Sequence, residues 1–100
     1  MPTETEFDSP INLGQQLMAI TAEECGELVQ VCMKMMRKHG HIDDMYYDKK
    51  YRAQLVEEAG DVLCMLELLS EHGLFDWREI YDRADVKREK LKEWSTLIHE

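Results

Sequence analysis

Apolar positions recur every three or four residues along three long stretches of this chain, and Gly, Asp and polar breakers separate the stretches. That period belongs to amphipathic helices and not to strands, which would alternate at every second residue. On a wheel of about 100° per residue with Leu17 at zero, Thr21, Leu28, Cys32 and Met35 fall within about 60° of it. The second stretch, with Tyr51 at zero, aligns Leu55, Val62, Leu66 and Leu69. The third aligns Trp77, Ile80, Ala84, Leu91, Trp94 and Ile98, with Lys87 on the same stripe where an apolar residue would be expected.

The ends of these helices carry their own signals. Ser9-Pro10 has the form of an N-cap followed by a helix-initiating proline, after a polar, aperiodic arm over residues 1–8. The first helix should run to about Lys38, with Lys34, Arg37 and Lys38 facing the negative end of its dipole and Gly40 as its stop. Residues 39–48 form a break long enough for one helical turn or a lid. The second helix should start between Asp48 and Tyr51 and end near His72, before Gly73. Asp76-Trp77-Arg78-Glu79 reads as a capping box opening a third helix that continues almost to residue 100.

Two acidic steps stand out against this frame: Glu23-Glu24-Cys25-Gly26-Glu27 on the first helix and Glu57-Glu58-Ala59-Gly60-Asp61 on the second. Glu24 lies about 20° from the apolar stripe and Glu27 at its edge, and Glu58 and Asp61 take the same angular places on the second helix. An EE pair on a helix is ordinarily solvated charge. Two pairs in matching positions on successive seams are harder to explain that way. Four carboxylates facing one another would repel unless protonated or bridged by a cation.

Charge and composition narrow the chemistry. A formal net charge of −9 argues against binding a nucleic-acid backbone or an anionic membrane surface. No apolar run reaches the roughly 18 residues of a membrane span, and the reading expected is a cytoplasmic protein. Cys25, Cys32 and Cys64 lack CxxC spacing and read as small core residues. Carboxylate oxygens without imidazole or thiolate suit Mg²⁺ or Mn²⁺. A di-iron bundle would want Glu-x-x-His, whereas the partners here are Glu27 and Asp61. His39 and His41 could be read as ligands, but a polar loop after a helix C-terminus explains them equally. Lys87, flanked by Arg83 and Lys90, is either a snorkelling lysine or a cation turned to the acidic interior and available for phosphate. Lys34 and Arg37 are the next basic candidates.

With these residues in view, the sequence resembles the MazG-like all-α nucleoside triphosphate pyrophosphohydrolases. That family's pattern is EExxE followed, after a spacer, by ExxD. It stands here as Glu23-Glu24-Cys25-Gly26-Glu27 and Glu58-Ala59-Gly60-Asp61, within AEECGELVQ and VEEAGDVLCML and before the basic KREKLKEW. The resemblance covers about residues 12–97. It implies hydrolysis of an NTP or dNTP between the α and β phosphates with Mg²⁺. It also implies Glu24, Glu27, Glu58 and Asp61 as metal ligands, Glu23 as outer ligand or water-activating base, and Lys87 and Lys90 at the phosphates. The spacer is longer than usual for the family, and Asp85 stands where many relatives carry Asn. Phosphoribosyl-ATP pyrophosphohydrolases and dimeric dUTPases share the acidic logic. The nucleobase is therefore open, with Gln15, Gln16 or an aromatic of residues 46–51 as candidates to meet it.

The fold expected is a single all-α domain over residues 9–100: three main helices, room for a short extra one, and a four-helix core completed by homodimerisation, with a tetramer as the further option. The rival reading is a non-catalytic helical partner protein, whose acidic, Met-rich seams bind another protein.

Overall fold

The computed structural model describes residues 11–100, so the arm and the Ser9-Pro10 start lie outside the described residues. Asn12 opens the first helix instead. Its side chain accepts the Gln15 N–H at 2.9 Å, and the Gln15 side chain accepts the Asn12 N–H at 3.0 Å, a reciprocal box that satisfies donors the helix leaves unpaired. Helix α1 spans Leu13–Lys38, α2 Ile42–Tyr47, α3 Lys49–Glu71 and α4 Trp77–Trp94. No strand occurs among the described residues, and the protein is all-α as expected. The short extra helix in the break is α2, capped by the His41 ring accepting the Asp43 N–H.

The chain resolves into two compact units, one up to Leu68 and one over Leu69–Glu100. In the first, α1 and α3 form an antiparallel hairpin. Contacts march in opposite directions along the two helices: His39 reaches Asp48, Lys38 lies 4.9 Å from the Tyr51 ring centre, and Glu24 and Glu27 meet Glu58 and Asp61. Asp48 is the pin at the connected end. It ends α2, accepts the Tyr51 N–H at the start of α3, and holds His39 at 2.8 Å and Lys38 at 3.0 Å. The His39 hydrogen bond, then the Tyr51 N–H and Lys38, hold its carboxyl far below the usual range.

Burial moves the seam by one residue two heptads along each helix, from Cys32 to Val31 and from Leu66 to Met65. The buried or half-buried positions of α1 include Leu17, Thr21, Glu24, Leu28, Val31 and Met35, and those of α3 include Tyr51, Leu55, Glu58, Val62, Met65 and Leu69. Both series step by four, three, four, three, four. This is the 3.5-residue period of a coiled-coil seam, which drifts about 20° per heptad from a straight wheel. Hence Val31 is buried while Cys32, expected on the seam, is exposed. Cys25 and Cys64 are exposed too, so the expectation of three core cysteines is not met within this chain. A Cβ at Gly26 would meet nothing within 4 Å, so no close helix approach occurs there in this chain.

The second unit begins where α3 stops. Gly73 takes a φ of 81°, the Leu74 N–H reaches the Leu69 carbonyl at 3.0 Å, and the Gly73 N–H reaches that of Ser70 at 2.9 Å. These are the paired bonds of a Schellman ending, which a left-handed residue permits and glycine adopts without strain. The Asp76–Glu79 capping box forms as the sequence predicts. Trp77 packs edge-on to Phe75 at 5.7 Å and beside Tyr81 at 5.8 Å. Helix α4 buries no residue fully. It stops at Trp94, earlier than expected: Ser95 takes extended geometry, and its hydroxyl accepts the N–H groups of Leu97 and Ile98.

Candidate metal and nucleotide site

The hairpin register brings four carboxylates to one place. Glu24 and Glu27 from α1 and Glu58 and Asp61 from α3 each offer an oxygen, and these four atoms lie within 4.8 Å of one another. Glu24 and Glu58 occupy seam positions, the third step of the same 4-3 series on each helix, which is why they face each other across the interface. Glu27 and Asp61, one turn on, are more exposed and complete the rim.

One oxygen of Glu24 and one of Glu58 is buried without a hydrogen-bond partner. Such orphaned acceptors are rare in native proteins, and each is a position that a proton or a cation would satisfy. The electrostatic surroundings point the same way. Burial first, then the charges of Glu27 and Asp61, raise the Glu24 carboxyl above its ordinary value. Glu58 is pushed up to about 7, first by a hydrogen bond shared with Glu27 and then by burial and the neighbouring charges. An all-oxygen, closely spaced, partly desolvated set of this kind fits a hard divalent cation. These residues therefore suit the group that the sequence implied.

The other candidates fall into two sets. Glu23 is exposed at the head of the first acidic step, and its charge contributes to raising Glu24. Lys34 lines a cleft of about 390 Å³ with Gln30, Val31 and Glu27 from α1, and Gln54, Glu57 and Glu58 from α3. Arg83, Lys87 and Lys90 all lie on α4, in the second unit, and are exposed. The wheel placed Lys87 on an apolar stripe, but every residue from Tyr81 to Lys90 is exposed. Gln15, a candidate for the base, is engaged in the α1 capping box. Tyr46 instead stands edge-on to Tyr47 at 5.1 Å and beneath Arg52 at 5.0 Å. His39 and His41 serve the hairpin connection and the α2 cap. Sequence reasoning missed Gln30 and Gln54 beside the acids. Gln30 stands three residues after Glu27 and Gln54 four before Glu58, spacings that put each on the same side of its helix as an acid.

A helical hairpin that gathers four carboxylates from its two helices is an all-α arrangement that could hold a metal ion. Residues 13–93 match the MazG nucleotide pyrophosphohydrolase domain, and the chain belongs to that family. No curated protein and no solved structure matches it. No described helix is long and apolar enough to cross a membrane.

Proposed function

We propose that this protein is a Mg²⁺-dependent pyrophosphohydrolase that cleaves an NTP or dNTP to the monophosphate and pyrophosphate. The observation that carries the reading is the pair of orphaned, buried oxygens of Glu24 and Glu58 within a four-carboxylate set. Mg²⁺, or Mn²⁺, held there would neutralise phosphate oxygens and acidify a bound water. Glu23, the remaining carboxylate of the first motif, takes the proton of the attacking water. Water oxygen bonds to the α-phosphorus as the bond to the bridging oxygen breaks, and pyrophosphate departs. Lys87, with Arg83 and Lys90, answers the charge that builds on the leaving group, and Lys34 binds substrate from α1.

The working form in this reading is a homodimer. Exposed Met18, Ala22, Cys25, Val29, Cys32 and Met36 repeat the 4-3-4-3-4 step on the outer side of α1, a second seam that the described residues leave uncovered. The family membership and the oxygen-only donor set favour hydrolysis over the partner-protein reading. Release of pyrophosphate from a panel of NTPs and dNTPs, with Mg²⁺ and with chelator, tests it. Metal-dependent release from at least one nucleotide is the expected result, and none from any would reject it.

A further inference from the structure

The cleft beside the acids runs from Glu27 to Lys34, seven residues or about 10 Å along α1. Its volume of about 390 Å³ lies within the roughly 300–1,000 Å³ of small-molecule sites. Once Glu27 and Glu58 are assigned to a cation, what remains is one cation, Lys34, one anion, Glu57, two carboxamides and the buried side chain of Val31. Such a lining has no net positive charge with which to hold a polyphosphate, and Glu57 would repel one. It is rich instead in hydrogen-bonding groups of both kinds. The carboxamides of Gln30 and Gln54 each offer two N–H donors and an acceptor, and neither is bonded to another described residue. No aromatic ring lines the cleft, so a flat ligand there would be held by its edges and not by stacking.

We infer that this cleft receives the nucleoside end of the substrate, with Gln30 and Gln54 as specificity residues that read the base edge. The inference rests on the hydrolase reading for the identity of the ligand. The triphosphate then extends from the acids away from the cleft, and Val31 forms the floor under the base. Lys34 donates to a carbonyl or ring nitrogen, and Glu57 accepts an amino or imino N–H. Buried polar groups built to pair with one base edge discriminate against another by leaving partners unmatched.

The experiment is a titration of the full chain with AMP, GMP, CMP and UMP in the presence of Mg²⁺, followed by NMR of the glutamine side-chain amides. Gln30→Leu and Gln54→Leu are titrated in parallel by calorimetry, with pyrophosphate as the control ligand. At least one monophosphate should shift both amide pairs. Each variant should weaken that monophosphate about tenfold, the scale of one lost hydrogen bond. The order among the four bases should change, while pyrophosphate affinity and the metal-induced rise in melting temperature stay at the wild-type level. Gln54→Met, which keeps the length of the side chain and adds no charge but removes the carboxamide, serves if the leucine variant folds poorly. Unshifted amides, or variants that bind all four monophosphates as wild type does, would overturn the inference. So would an equal loss for pyrophosphate. If the wild type hydrolyses no nucleotide yet monophosphates still shift the amides, the cleft assignment stands and the hydrolase reading falls.

Discussion

The α1–α3 hairpin and α4 share one sequence design and differ in what the fold makes of it. All three helices carry the four-three step, and α4 continues it through Trp77, Ile80, Ala84, Lys87, Leu91 and Trp94. In the hairpin the step buries Leu17, Val31, Met35 and Met65 and draws Glu24 and Glu58 inward. On α4 it buries no residue fully, leaving Trp77, Ile80 and Leu91 half-buried, and Trp94 is 82% exposed. A period in the sequence therefore announces a seam without saying what covers it. In the hairpin each helix covers the other, and the charge trapped between them is the most informative feature of the molecule. For α4, the seam is a statement about contacts that its own unit does not supply.

The largest effect should come from the hairpin acids. Glu24→Gln and Glu58→Gln should abolish metal-dependent pyrophosphate release. Each should leave the metal-free fold at least as stable, because each removes one repelling charge. Thermal denaturation in chelator checks the second half, and unfolding of both variants would make the acids structural. On α4, Lys87→Met should lower turnover by about a hundredfold, the usual scale for one lost electrostatic contact in the transition state. The melting temperature should hardly move, since methionine keeps the apolar stem. Full activity would reduce α4 to scaffold.

Smaller effects separate the two sides of α1. Val29→Glu places a charge in the outer seam and should halve the mass seen by light scattering, with the inner site still able to bind metal. The pH dependence of the metal-free protein sharpens the contrast further. Glu58 has a raised carboxyl pKa in the fold, so the native state holds more protons than the unfolded chain between about 4.5 and 7. Its contribution is greatest at the acidic end of that window and is lost as pH rises through about 7, and Glu58→Gln should flatten the slope. Asp48 has the opposite sign. Its lowered pKa contributes stability above the ordinary carboxylate range that fades as pH falls. Asp48→Asn should lower the melting temperature by a few degrees at neutral pH without changing metal binding.

Much of this was legible in the residues. The matched angular places of the two acid pairs predicted that Glu24, Glu27, Glu58 and Asp61 share one side, and the hairpin brings them together. Over the ten residues from Leu17 to Glu27 the difference between 3.6 and 3.5 residues per turn is still small. By Cys32 it has accumulated to about 40°, enough to exchange Cys32 for Val31. The Ser9-Pro10 signal lies outside the described residues, and Asn12 and Gln15 form an equally good box three residues on, at which α1 opens. The tail was misread because Ile98 fits the wheel. A wheel carries no information about Ser95, whose hydroxyl competes for the next backbone donors. Gln30 and Gln54 were illegible as site residues for another reason: a carboxamide announces nothing until the fold sets it beside a cleft.

The central claim is that the four carboxylates bind a divalent cation, and thermal unfolding with and without metal tests it most directly. In millimolar Mg²⁺ or Mn²⁺ at neutral pH the wild-type melting temperature should rise by roughly several degrees, because the cation binds the native hairpin and not the unfolded chain. Chelator should reverse the rise, and a Glu24→Gln, Glu58→Gln double variant should show none. An unmoved wild-type midpoint, or the same rise in the double variant, would contradict the account.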